Sequence, residues 1–175
     1  DLGDARTRLG WGEAVTPVIA GDHLVVNWDT EDESFIIALD PATGETKWKE
    51  DRDEATGWTT PLVVEHDGRR QVIVNGSNRV RSYDLESGEL IWQSGGQTVN
   101  AIPSPVYDAS TVYVTSGYRG AALQALPIDA KGDITGSKAI KWEVGRGTPY
   151  VPSPLLYEGR LYITQGNTNV LTCLD

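Results

Sequence analysis

Few side chains in this 175-residue chain have the type and spacing that chemistry needs. His23 and His66 each stand alone beside a turn, whereas a metal site needs several converging ligands. A single cysteine, Cys173, rules out an internal disulfide. The acidic run Asp29–Glu33 is of a kind that attracts Ca²⁺, but it lacks the glycine and the regular alternation of an EF-hand loop. It reads as a solvated acidic loop. No Ser–His–Asp set, phosphate-binding loop or glycine-rich turn opening a helix is present. Asn75-Gly76-Ser77 spells a glycosylation sequon, yet Asn-Gly between two apolar runs is primarily a hairpin turn. No catalytic residue and no metal ligand is assigned. What stands out is aromatic: six Trp against one Phe.

The bulk properties narrow the partners. Lys plus Arg is 15 against 25 Asp plus Glu, a net charge of −10. A nucleic-acid binder needs a basic stripe to displace counterions, and anionic lipid needs the same. Both are disfavoured. No run approaches the 18 or so apolar residues that span a bilayer, so no membrane insertion is expected. No leader pattern opens the chain. Met is absent even at position 1, so that position reads as something other than a biological start.

The elements that hold the aromatics are repeated. The steps Thr16-Pro17-Val18, Thr60-Pro61-Leu62, Ser104-Pro105-Val106 and Ser153-Pro154-Leu155 are spaced by 44, 44 and 49 residues. The apolar-Asp steps ending at Asp40, Asp84, Asp129 and Asp175 are spaced by 44, 45 and 46. Trp48, Trp92 and Trp142 follow the same beat, and the third unit carries extra residues, Ala130 to Ser137. Within unit 2, strands are expected at Leu62–Glu65, Gln71–Asn75, Val80–Asp84 and Leu90–Gln93, with Asp, Asn, Gly and Ser between them. Unit 4 has the same layout at Leu155–Tyr157, Leu161–Thr164 and Val170–Asp175. A period of 40 to 50 residues holding four antiparallel strands predicts an all-β propeller. About four blades are present, at about 11–50, 58–94 and 99–144, with an incomplete one at about 148–175.

The stretch Ala38-Leu39-Asp40-Pro41-Ala42-Thr43-Gly44-Glu45-Thr46-Lys47-Trp48 resembles the tryptophan-docking motif of the pyrroloquinoline quinone (PQQ)-like β-propeller family. Tyr83-Asp84-Leu85-Glu86-Ser87-Gly88-Glu89-Leu90-Ile91-Trp92 repeats it with Ser82 in the alanine place. Unit 3 keeps Ala125, Asp129 and Trp142 at stretched spacing. The glycines permit a turn of positive φ, and the aspartate can cap it. The resemblance implies that each of these Trp slots between neighbouring blades. Propellers of this family close with about seven or eight blades, so the chain reads as part of a larger ring. Asp1-Leu2-Gly3-Asp4 resembles the stretches that follow a docking Trp, which places the missing strand before residue 1. Raw outer edges invite strand pairing, and a second copy would complete a ring as a homodimer.

A meander puts the loops between second and third strands on the same end as the connections between blades. That end carries Trp28, Trp58, Asn78, Arg79, Asn100, Tyr118, Arg119, Tyr150 and Asn167, a mixture enriched at interface hot spots. The resemblance implies a non-catalytic scaffold that binds a protein or peptide, similar to BamB-type outer-membrane assembly proteins, in the periplasm or outside the cell. No cofactor is expected on this reading. The alternatives are a fragment of a PQQ-dependent quinoprotein dehydrogenase, with PQQ and Ca²⁺, and a ligand-sensing ectodomain. The dehydrogenases carry an adjacent Cys pair near the cofactor, and this chain has only Cys173.

Overall fold

The computed structural model describes residues 2–166 and 168–175. Among the described residues, sixteen strands build four sheets. The first sheet is β1 (Val18–Ala20), β2 (His23–Trp28), β3 (Ser34–Leu39) and β4 (Thr46–Arg52), paired in chain order. The second is β5 (Leu62–His66), β6 (Arg69–Val74), β7 (Arg79–Asp84) and β8 (Leu90–Gly95). The third is β9 (Val106–Tyr107), β10 (Thr111–Ser116), β11 (Ala122–Pro127) and, after a detour through β12 (Gly132–Asp133), β13 (Trp142–Val144). The fourth has β14 (Leu155–Tyr157), β15 (Arg160–Thr164) and β16 (Leu171–Leu174). Each sheet is an antiparallel meander, and none closes on itself, as befits part of a propeller. β12 departs from the pattern. It leaves blade 3 and pairs in parallel with β8 of blade 2.

Alternation along each strand decides the stacking, because successive side chains face opposite sides of the sheet. Val25, Ile36, Ala38 and Trp48 face Val72, Val74, Tyr83 and Leu85 of blade 2. The other side of blade 2, with Val64, Ile73, Val80 and Trp92, faces Val112, Val114, Leu126 and Ile128 of blade 3. Trp142 and Tyr113 in turn pack with Leu161 and Ile163 of blade 4. The first strands β1 and β5, and likewise β9 and β14, are neighbours, so they line the axis. Hydroxyls link these inner strands. The Thr60 amide donates to Ser104 Oγ (3.0 Å), and the Ser104 amide donates to Ser153 Oγ (3.0 Å). Both acceptors directly precede a repeat proline.

The repeated turn is built alike in blades 1 and 2. Asp40 Oδ1 accepts from the Ala42 and Thr43 amides at 2.8 and 3.0 Å, and Asp84 Oδ1 from Glu86 and Ser87 at 3.0 and 3.1 Å. Gly44 and Gly88 stand at φ 76° and 80°, where a Cβ is strained. A register shift just before each motif aspartate, at Ala38/Leu39 and at Ser82/Tyr83, sets Trp48 opposite Ala38 and Trp92 opposite Ser82. Blade 3 has a different turn. Asp129 is exposed, and the extra residues lie over blade 2 instead.

Candidate functional site

The end of the molecule carrying the inter-blade connections is held by short polar side chains. Ser77, in the β6–β7 loop, donates its hydroxyl to the Thr56 carbonyl and accepts the Asn100 amide at 3.0 Å. In blade 3, Ser116 Oγ accepts the Thr98 amide (2.8 Å), and its carbonyl accepts from Thr148 Oγ1 (2.8 Å). Each serine is buried and ties the connection entering its blade to the one leaving it. Asn75, buried at the end of β6, reaches across to the carbonyls of Thr115 (2.9 Å) and Pro103. Gly76 follows it at ordinary φ. The Asn-Gly pair does connect two strands, but its glycine is required by close approach. A Cβ there would lie 2.8 Å from the Arg79 carbonyl oxygen.

On this frame four repeats each contribute one residue to an apolar mouth. Ala14, Trp58, Ile102 and Val151 all stand three residues before a repeat proline, and together with Trp11 they line a cavity of about 260 Å³. The Trp58 ring is buried, with its Nε1 donating to the Gly12 carbonyl (2.7 Å). Its only hydrogen-bonding group is thereby satisfied, so the mouth presents carbon. Trp11, half exposed, lies 6.0 Å from it, centroid to centroid. Next to Val151, Tyr150 stacks on Tyr118 at 5.1 Å, and the Arg119 guanidinium lies 5.2 Å from the Tyr118 ring. The mouth with Trp11 and Trp58, and the Tyr118–Tyr150–Arg119 cluster that adjoins it in the chain at Val151, are together termed the aromatic tract.

The other residues expected at this end have different surroundings. Trp28 stacks on Phe35 (6.1 Å) and lines a separate cavity of about 210 Å³ with Leu2, Val15 and Val26. Asn100 is buried at φ 58°, a conformation Asn tolerates, so its placement is that of a turn residue. Asn78 and Arg79 donate their backbone amides to Glu54 at 2.8 and 3.2 Å. Asn167 lies outside the described residues.

Glu54 belongs to a buried ion network between blades 1 and 2 that sequence reading does not find. Arg52 grips Asp29 through Nε (2.7 Å) and Nη2 (3.0 Å) and donates to Tyr83 Oη (2.8 Å). Neither side chain of the Arg52–Asp29 pair reaches solvent. Arg81 bonds Glu54 (2.6 Å) and also pairs with Asp53. Burial raises the Glu54 carboxyl, and the Asn78 amide, Arg52 and Arg81 only partly offset it. Burial likewise raises the Tyr83 phenol. For Arg52, burial acts against the charge, but Asp29 and Tyr83 outweigh it and the guanidinium is held protonated. Asp29 is therefore no part of a solvated acidic loop. Asp32 pairs with Arg6 and Glu31 accepts from Thr56, so most of that run has partners within the fold. Among the described residues, no three His, Cys, Asp or Glu side chains converge as metal ligands.

Residues 5–175 match the family model described as outer membrane protein assembly factor BamB. The chain belongs to this family. Its fold is similar to that of BamB from Moraxella catarrhalis, at 21% identity and TM-score 0.58, over 87% of this chain and 46% of that one. It is also similar to the quinohemoprotein alcohol dehydrogenase of Comamonas testosteroni, at 20% identity and TM-score 0.55, over 79% of this chain and 21% of the enzyme. The computationally designed Ika4 protein matches over 93% of this chain and 97% of its own, at 11% identity and TM-score 0.62. Comparison with curated proteins finds no match. At these identities the structural likeness is one of fold. The BamB-family chain spans just under half of the Moraxella protein and a fifth of the enzyme. No helix among its described residues is long and apolar enough to cross a membrane.

Proposed function

We propose that this chain is a non-catalytic propeller scaffold that binds a protein or peptide partner in the periplasm, through the aromatic tract on its connection end. The observation that carries this reading is the convergence of the four Pro−3 residues, with Trp11, on one apolar mouth. Aromatic and Arg side chains on a rigid frame are the composition of interface hot spots, because they bury much area with little entropy to lose. The test is selection from a displayed library of extended peptides, followed by titration of the selected peptides against variants. Trp11→Ala and Val151→Asp are expected to weaken binding at least tenfold without lowering the thermal midpoint appreciably. Peptides that bind both variants as well as the parent would refute the site.

Self-association is part of the same proposal. Leu155, Tyr157 and Leu171 are exposed on the side of blade 4 facing away from blade 3, where the equivalent sides of the other blades are buried. Light scattering that finds only monomer at high concentration would remove it. A quinoprotein reading is supported by likeness of fold to dehydrogenases. Quenching of Trp fluorescence by PQQ with Ca²⁺, together with dye-linked alcohol oxidation, would overturn the scaffold reading.

A further inference from the structure

The outer edges of the blades are closed in different ways. β4 carries Lys47, Lys49, Glu50 and Asp51 on exposed positions, and charge of this kind keeps an open edge from pairing. β13 is only three residues long. β8, Leu90–Gly95, has neither protection: six residues with no charge. Its edge is covered instead by the extra residues of blade 3. The cover is slight. Only Gly132 and Asp133 pair with it, opposite Trp92 and Gln93. The Ile134 amide donates to the Gln93 carbonyl (2.9 Å), the Gly95 amide donates to Thr135 Oγ1 (2.8 Å), and Gln93 Nε2 donates to Asp133 (2.9 Å). Of residues 131–138 only Ile134 is buried, as a single plug in the core between blades 2 and 3. Gly95 is what lets this strap lie close, since a Cβ there would be 3.1 Å from Thr135 Cγ2. Leu90, at the start of the edge, is left half exposed.

We propose that the β8 edge is a strand-addition site for an extended segment of a protein partner, held closed in the free chain by residues 130–137. An occupant pairing along all six residues makes more main-chain hydrogen bonds than the two-residue strap, so it can displace the strap. It runs parallel to β8, as β12 does. It places a β-branched or leucine side chain in the Ile134 pocket and, one residue earlier, a carboxylate near Arg79, whose guanidinium lies 3.7 Å from Asp133. The β8 edge and its strap share no residue with the aromatic tract.

The probe is a fluorescent peptide with the sequence of residues 130–137, added to the full chain. Ile134→Ala empties the pocket in cis, so this variant should bind the peptide at least tenfold more tightly than the parent, by anisotropy. Hydrogen exchange should slow at β8, and the thermal midpoint should rise toward that of the parent. A peptide with Asp in the isoleucine place should not bind. Thr135→Ala, which removes one hydroxyl contact, gives the same shift on a smaller scale if Ile134→Ala fails to fold. A folded variant with no gain in affinity, or protection confined to another strand, overturns the proposal. So does competition by peptides selected on the aromatic tract. Failure of those selected peptides to bind at all leaves this result readable by itself.

Discussion

Blades 1 and 2 meet differently from blades 2 and 3, although the same motif opens both contacts. At the first interface Trp48 lies against the Gly88 turn and donates Nε1 to the Leu85 carbonyl (2.8 Å). Beyond it, toward the connection end, lies the Asp29–Arg52–Tyr83 network with Glu54 and Arg81. At the second interface Trp92 is completely buried among Val112, Val114, Leu126, Ile128 and Ile134, and its Nε1 has no partner among the described residues. The reason is local. In blade 2 the turn that follows the motif aspartate offers the Leu85 carbonyl, whereas in blade 3 residues 130–137 leave that place to cover β8. Both interfaces have an apolar core; the first adds a buried ion network, whereas the second adds neutral amide bonds from Gln71 and Asn75 to blade 3 carbonyls, and a strap. Buried polar networks fix geometry at a desolvation cost, while apolar packing is stabilising but less directional.

The largest effect expected from this contrast is at Arg52. Arg52→Ala leaves the Asp29 carboxylate buried without its cation, with the Asn27 amide still donating to it, which should cost about 3–5 kcal/mol in urea unfolding. The double change Arg52→Met with Asp29→Leu removes both charges and should recover most of that loss. If Arg52→Ala costs no more than an exposed surface change, the polar description of the first interface fails.

The tryptophans sharpen the same comparison. Trp48→Phe and Trp92→Phe each remove similar volume and should each lose about 1–2 kcal/mol of packing. Trp48→Phe also strands the Leu85 carbonyl, which adds about 1 kcal/mol. Trp92→Phe removes an indole N–H that has no partner, so it should be the milder change although Trp92 is the more deeply buried ring. The reverse order, measured by thermal unfolding, would mean that burial alone ranks these plates.

What sequence reading captured follows the repeat, and what it missed crosses the repeat. The period was legible because Pro17, Asp40, Gly44 and Trp48 have counterparts 44 residues on, and each answers a local demand of backbone or turn. The all-β fold followed from that. The aromatic mouth was half legible. Trp58 stood out by type, but Ala14, Ile102 and Val151 are ordinary residues whose shared Pro−3 position is the signal that finds them. The Arg52–Asp29 pair was not legible, because both sit in charged runs that look solvated and only the pairing of β3 with both β2 and β4 brings them together. The strap was hidden for the same reason. Its parallel pairing joins positions 40 residues apart through a segment that reads as an insertion.

The two turn glycines separate local from inter-blade demands. Both have positive φ, so alanine at either should cost about 1–2 kcal/mol. A Cβ on Gly44 meets open space, whereas one on Gly88 would lie 2.8 Å from the Trp48 ring. Gly88→Ala must therefore also push Trp48 off its seat, and its cost should be roughly twice that of Gly44→Ala. Trp48→Ala should abolish the difference between the two glycine variants. If it does not, the ring is not what makes Gly88 special.

The smallest effect divides the two caps by pH. Asp40 is lowered by the Ala42 and Thr43 amides it accepts. Burial would raise Asp84, but the Arg69 guanidinium at 2.8 Å and the Ser87 and Glu86 amides more than reverse it. A carboxyl held below its ordinary range in the folded state binds fewer protons folded than unfolded. Its stabilisation is therefore complete above the ordinary aspartate range and is lost as pH falls through that range to the depressed folded value. Asp40→Asn and Asp84→Asn should each lower the thermal midpoint at neutral pH and converge with the parent in acid. Asp84 has a cation in direct contact, Arg69, whereas Lys47 bonds Asp22 and acts on Asp40 only through space, so the gap at Asp84 should shrink more when salt is added. A gap at Asp40 more salt-sensitive than that at Asp84, or a gap at Asp84 that persists in acid, would show that the caps act through something other than ionised turn bonds.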